Sequence, residues 1–348
     1  MKERDYLFDN AKGILAFLVV FAHIVQHANF LSEEYVDYVN RGIYMFHMPA
    51  FIFISGYFSK KHNEKRILNL FALYFVWQMF ISPMAYSILK DISFQKAFKS
   101  FFLPQATYWY LFSLIIWRVV TPYVTKLKGA FWISLVVALM MGLTTLKFDL
   151  INLSLGRTIV FYPFFLLGVL CTKERFYKIK NKIKPYWGLI AFIGVIAVGV
   201  ALMYAVVPLL SRDTRALRLL TGRYKYDAYF TNPYDGVWVN AIFYFVRIGA
   251  TFLFFTFIPS KKCFLTKLGE ASLFIYLTHW WFISYFKENY FQNPNYENGL
   301  LVLGFGFTAT VLYCWLLTTK PFMKLGHFMT NIKIDWLIKK EPTKTEEC

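Results

Sequence analysis

Apolar stretches long enough to cross a bilayer recur along this chain, and they constrain its fold more than any other feature. A hydrocarbon core takes roughly 20 helical residues to cross. Inside it every backbone amide must be paired within the protein, which leaves helices as the economical solution for apolar runs of this length. Ten candidate runs read as 11–30, 43–58, 67–89, 108–122, 129–146, 158–172, 187–208, 237–258, 270–286 and 299–319. The second and fourth are short enough to be tilted or partly re-entrant. The expectation is an all-α, polytopic membrane protein with about ten transmembrane helices. Residues 1–322 read as a single transmembrane domain and 323–348 as a short polar tail.

Composition closes off the alternatives. The 348 residues are 57% hydrophobic and only 17% charged, against about 25% charged in an ordinary soluble domain. A soluble fold has no place to bury that much apolar surface. A disordered chain and a disulfide-stapled secreted domain are excluded on the same ground. The four cysteines, Cys171, Cys263, Cys314 and Cys348, form no CxxC or zinc spacing and read as structural thiols. The first apolar run resembles a secretory leader, but Glu3, Asp5 and Asp9 break its basic region. It reads as a retained first span.

The net charge of +18 lies in short clusters between the apolar runs, not along one stripe. That distribution argues against nucleic acid as a partner and matches the positive-inside bias of membrane proteins. With the N-terminus inside, the inner segments hold 24 Lys and Arg and the outer ones 12, with Arg118 and Arg247 inside spans. Both termini are therefore expected in the cytoplasm. The densest inner cluster, residues 173–184, reads as an anchor against anionic lipid, or as part of an anionic cofactor's entry site. The longest outer loop, 209–236, carries Arg212, Arg215, Arg218, Arg223 and Lys225 with Tyr224, Tyr226, Tyr229 and Tyr234. It reads as an interfacial helix or as a glycan-binding surface.

Ionisable groups inside spans are the candidates for chemistry, because each costs about 2.5–3.5 kcal/mol at a helix centre on insertion scales. They are His23, His27, His47, Arg118, Arg247 and His279. Lys12 and His23 are eleven residues apart, nearly in register on one helix face and separated by about 16 Å along the axis. A cation at one mouth and an imidazole near mid-membrane would suit a long ligand with an anionic head and a reactive end, as acyl-coenzyme A has. A snorkelling lysine and a histidine bonded to a neighbouring helix satisfy the same spacing. His27 lies one turn beyond His23, but no nearby Cys, Asp or Glu completes a metal site, and no metal is expected. His47 opens the run FHMPAFIFISGY (46–57), where Pro49 favours a kink and Ser55-Gly56 permits close helix packing. Arg247, near the middle of its span, requires an anion or backbone carbonyls. Tyr108, Trp109 and Tyr110 read either as an interfacial belt or as a platform for an acceptor.

Three stretches then carry a resemblance: DNAKGILAFLVVFAH (9–23), FHMPAFIFISGY (46–57) and LGEASLFIYLTH (268–279). In that order they resemble the acyltransferase-3 family of integral-membrane acyltransferases, near its fucose 4-O-acetylase-like and capsule O-acetyltransferase-like members. The resemblance implies ten transmembrane helices, an acetyl-CoA co-substrate used from the cytoplasm, and O-acylation of a glycan acceptor in a bacterial plasma membrane. It places the family's basic-x10-His signature on Lys12 and His23, with His23 the catalytic histidine, acting as general base or through an acyl-His intermediate. Many members have Arg where this chain has Lys12, which keeps the charge without the planar fork. Burial favours the neutral imidazole that a base requires. Lys12, Arg118 and Arg247 are the expected donor-binding residues. His47, Tyr108, Trp109, Tyr110 and His279 are the expected acceptor-binding residues. The rival classes are a transporter or flippase of lipid-linked glycans, a glycan polymerase, and a membrane sensor. None of the three requires a base at the depth of His23.

Overall fold

A computed structural model describes residues 5–27, 34–90, 93–95, 107–144, 154–210, 217–222, 225–289, 299–332 and 334. The described residues are helical, without extended strands. The main helices are α1 (Leu7–His27), α2 (Glu34–Tyr57), α3 (Glu64–Val76) and α4 (Ser82–Lys90), the last two joined through a π-turn at Trp77–Ile81. They continue as α5 (Trp109–Val124), α6 (Ala130–Met140), α7 (Leu155–Leu170), α8 (Lys173–Lys182), α9 (Pro185–Leu210) and α10 (Pro233–Phe257). The last four are α11 (Phe264–Glu270), α12 (Ser272–Asn289), α13 (Gly299–Leu317) and α14 (Lys320–Thr330).

In their described residues, the ten apolar runs lie mainly on helix. Five helical stretches are by themselves long and apolar enough to cross a bilayer: Leu7–Gln26, Glu64–Ile88, Pro185–Pro208, Pro233–Phe257 and Gly299–Leu317. The α7–α8 pair makes a sixth if counted as one span, bent by 98° at its break. This is the architecture of a polytopic membrane protein. Large side chains on the outside of the bundle, such as Trp132, Trp187, Trp238 and Trp315, are exposed, as hydrocarbon contact allows.

The end of the bundle that carries the start of α1 is closed by backbone-to-backbone approach. A Cβ placed on Gly269 of α11 would lie 1.8 Å from the Asp9 carbonyl oxygen, and one on Gly13 would lie 2.4 Å from that of Leu265. On the opposite side, a Cβ on Gly56 would lie 1.9 Å from the Phe165 oxygen and one on Gly168 would lie 2.2 Å from the Phe53 oxygen. Small residues thus seam α1 to α11 and α2 to α7, the close approach expected of Gly56. Asn10 completes the first seam. Its amide donates to the carbonyls of Pro259 (2.7 Å) and Lys261 (2.9 Å), and its oxygen accepts from Thr266 (2.7 Å).

Two segments lie on this scaffold. The basic cluster 173–184 is mostly α8, capped by the Thr172 hydroxyl on the Arg175 amide. Its Phe176 is buried against Phe8, Phe53 and Phe255, while its basic residues, apart from the half-buried Lys180, stay exposed. The segment after 319 forms α14, to which Trp77 is tied by a 3.1 Å bond from its indole to the Met329 carbonyl. In the 209–236 loop, Tyr226 and Tyr229 are buried, and Tyr226 bonds to the Leu139 carbonyl at 3.0 Å. Tyr234 is exposed. Arg212, Arg215, Arg223, Tyr224 and Cys348 lie outside the described residues, as do the side chains of His27 and Arg218.

A candidate active site among three histidines

Two turns or more beyond the glycine seams, α1, α2 and α12 bring three histidines together. The rings of His23 (α1) and His279 (α12) stack with centroids 5.4 Å apart and planes 26° from parallel. Tyr44 of α2 stands edge-on between His23 (6.3 Å) and His47 (4.9 Å). Trp280 closes on His23 from α12, also edge-on, at 6.5 Å. His47 and His279 are buried, and His23 is partly exposed.

Hydrogen bonds assign the tautomers. A carbonyl only accepts, so His47 donates from Nδ1 to the Ile43 oxygen (2.7 Å), and His279 donates from Nδ1 to the Tyr276 oxygen (2.5 Å). Tyr44 has one proton and gives it to Gln26 Oε1 at 2.6 Å. With the Tyr44 proton given to Gln26, a hydrogen bond across the long 3.5 Å contact between the Tyr44 oxygen and His23 Nδ1 takes its proton from Nδ1. In a neutral imidazole this leaves Nε2 of His23 as the basic nitrogen. Tyr44 and Gln26 are the orienting residues that spacing alone did not single out. Tyr44 lies three positions before His47, one helical turn away, and that is the signal that would have found it.

The remaining candidates separate into different places. Lys12 is partly exposed near the start of α1 and paired with Asp9 at 2.9 Å. Arg118 of α5 donates to the Ser59 hydroxyl (3.2 Å) and lines a basic cleft with Lys60, Lys61, His62 and Arg66. Thr121 and Thr125 add hydroxyls to the same cleft. These charges and donors suit the phosphates of a coenzyme A. A separate, small apolar cavity lies among α1, α2, α5 and α12, lined by Ala16, Val19, Met48, Phe51, Tyr110, Ile275 and Tyr276.

Arg247 is buried at 1% exposure in a cage of Phe161, Phe164 and Tyr244, with its guanidinium carbon 4.9 Å from the nearest ring centre. One of its terminal nitrogens reaches the Leu220 carbonyl at 3.3 Å, and its Nε has no partner. Backbone and aromatic faces therefore answer part of its charge, leaving a donor for an anion.

Tyr108, Trp109 and Tyr110 are all buried. Tyr108 bonds to Ser82 (2.6 Å) and to the Leu277 carbonyl (2.9 Å), tying α4 and α12 to the start of α5. Trp109 packs on Phe161 and under the Arg157 guanidinium. Tyr110 meets Ser55 through their hydroxyls. As a set they stand inside the bundle, not in an outer aromatic belt. Among the described residues no group of three His, Cys, Asp or Glu side chains is arranged to hold a metal.

Residues 5–319 match the model of the acyltransferase domain family. Nodulation protein NolL of Sinorhizobium fredii is 31% identical over 187 residues, covering 48% of this chain and 48% of the relative. Nodulation protein NolL of Mesorhizobium japonicum is 30% identical over 193 residues, with the same two shares of 48%. The chain spans about half the length of the curated relatives it matches. No solved structure matches it significantly. The chain belongs to this acyltransferase family, and its apolar helices make it a membrane member of it.

Proposed function

We propose that this acyltransferase moves an acetyl group from cytoplasmic acetyl-CoA to a hydroxyl of a cell-surface or lipid-linked glycan. In this reading ten helices cross a bacterial plasma membrane and both termini are cytoplasmic, as the Lys and Arg distribution favours. The observation that carries the proposal is the convergence at His23, which stacks on His279 and meets His47 through the ring of Tyr44.

The basic cleft at Arg118, with Lys12 near the same end of the bundle, takes the coenzyme's phosphates. The thioester arm then runs along the α1 face that carries Lys12 and His23, nearly in register along the helix. Tyr44 holds the Nδ1 proton in place, so Nε2 accepts the proton of the sugar hydroxyl as its oxygen attacks the thioester carbonyl. The C–S bond then breaks and the leaving thiolate takes the proton back from the imidazolium. No net charge is left at His23. The donor face of Arg247 is the strongest candidate to stabilise the oxyanion. His47 and His279 border the acceptor, each with its tautomer set by a backbone carbonyl.

The test is NMR of cell-surface glycan from three strains: a deletion, the deletion with wild type restored, and the deletion with His23→Ala at matched expression. O-acetyl signals that appear only with wild type support a His23-dependent acetyltransferase and identify the sugar. Full restoration by His23→Ala removes His23 from the chemistry. A deletion that changes glycan amount or chain length without changing acylation favours a transporter or polymerase instead.

A further inference from the structure

The first half of α2 has an unusual buried face. Asp37, Asn40, Arg41 and His47 all lie within about 60° of Tyr44 around the helix, and all five are buried. The outermost members satisfy one another. Arg41 pairs with Asp37 at 2.5 Å and lies 4.4 Å over the Tyr204 ring, and the Tyr204 hydroxyl also donates to Asp37. His47 and Tyr44 have the partners described above. Asn40 does not. It is 0% exposed, and among the described residues neither its Nδ2 nor its Oδ1 has a hydrogen-bond partner.

An amide buried with both ends unpaired is costly, and an alkyl side chain of the same size would serve packing better. The polar group is accounted for if a ligand satisfies it. Asn40 sits one turn beyond Tyr44, about 6 Å along the axis, on the side away from the glycine-seamed end and the basic cleft. A carboxamide presents an acceptor and a donor side by side, which matches a pair of neighbouring sugar hydroxyls. The phosphates of the donor, with no proton to give at neutral pH, do not match its Oδ1.

We infer that Asn40 binds and orients the acceptor sugar, gripping one hydroxyl pair so that the adjacent hydroxyl faces His23. This rests on the acetyltransferase reading, but its test requires no turnover. The full chain in lipid nanodiscs is titrated with methyl α-L-fucopyranoside, methyl α-D-galactopyranoside and methyl α-D-glucopyranoside. Binding is read by saturation-transfer difference NMR, beside separate acetyl-CoA titrations.

Wild type is expected to bind at least one glycoside. Asn40→Leu is expected to weaken that binding about tenfold or more, leave acetyl-CoA affinity unchanged, and melt no lower than wild type. Asn40→Ser is expected to fall between them. Glycoside affinity unchanged in Asn40→Leu overturns the inference. A lowered melting temperature in both Asn40 variants does so too, because the amide is then structural, as does a wild type that binds none of the three glycosides. If His23→Ala remains active in cells while Asn40→Leu loses glycoside binding, the catalytic reading fails and the acceptor site stands.

Discussion

The two ends of α1 and α2 use the same helices for opposite purposes. At one end Gly13, Gly56, Gly168 and Gly269 bring backbones together so closely that no Cβ fits, and Asn10 has every bond it can use to pin the seam. At the other end the facing side chains are His23, Tyr44, His47 and His279, and the packing is between polar rings. The first arrangement leaves no room for adjustment. The second retains polar atoms, at Asn40 and at the Nε of Arg247, that no described residue satisfies. Helices clamped at one end hold the histidines in register without having to saturate them. That is the condition under which a ligand finds both a fixed geometry and unspent hydrogen bonds.

The largest expected effect therefore separates the two ends. His23→Ala should lower turnover by about 10²–10⁴ fold, the range associated with a general base, while melting within a few degrees of wild type. Acetyl transfer by the purified protein, measured beside a thermal-shift scan, checks both halves. A matched loss of stability would make His23 a packing residue. Gly269→Ala should do the reverse. A methyl 1.8 Å from the Asp9 oxygen must push α1 and α11 apart, an overpacking cost of about 1–3 kcal/mol or more. Detergent-solubilised yield and melting temperature should drop sharply, and the protein that remains folded should retain most of its activity.

The difference between the ends also governs how much the sequence discloses. Of the seam glycines, Gly56 and Gly269 fall inside FHMPAFIFISGY and LGEASLFIYLTH, Gly13 inside DNAKGILAFLVVFAH and Gly168 outside all three, and close packing at Gly56 was expected from its neighbours. The partners, Phe165 and Asp9, are set by tertiary docking that no periodicity reports. The apolar runs locate the helices well where burial and hydropathy agree, as along 187–208. They fail on α2, which begins at Glu34 and not near residue 43, because Asp37, Asn40 and Arg41 look like loop residues and are instead a buried polar face. The ninth run is split at Ala271, the C-cap of α11. The eleven-residue spacing of Lys12 and His23 is visible in the chain, but the stacking of His23 on His279 is not. Those residues are 256 positions apart, and only family resemblance hinted at a shared site. Tyr108, Trp109 and Tyr110 show the converse: an aromatic triplet at a span end has the pattern of a belt, and the hydrogen bonds of Tyr108 reveal a tether.

A smaller effect tests the orienting pair. Tyr44→Phe removes the hydroxyl that meets His23 Nδ1 and Gln26 but keeps the ring between the two imidazoles. Losing one hydrogen bond of about 0.5–1.5 kcal/mol predicts a three- to tenfold fall in kcat. KM for acetyl-CoA and the melting temperature should not move. Gln26→Leu should reproduce part of that loss, since it frees the Tyr44 proton to turn toward His23 and oppose the required tautomer. A fall in Tyr44→Phe that appears in KM for the acceptor instead of in kcat would move Tyr44 from positioning the base to binding the sugar.

The smallest effect sets the scale for all the others. Gly194 on α9 and Gly304 on α13 are also glycines in the interior of apolar helices, and a reading by residue type would group them with Gly56 and Gly269. The physical distinction is what a Cβ would meet, and at both positions it would meet nothing within 4 Å. Alanine there adds no clash, and helix propensity in water favours it over glycine by up to about 1 kcal/mol. Gly194→Ala and Gly304→Ala should thus be neutral or raise the melting temperature slightly, with unchanged acetyl transfer. If either behaves like Gly269→Ala, its helix face is covered in the membrane by a neighbour of its own. The contrast between seam glycines and surface glycines would then extend beyond the single chain.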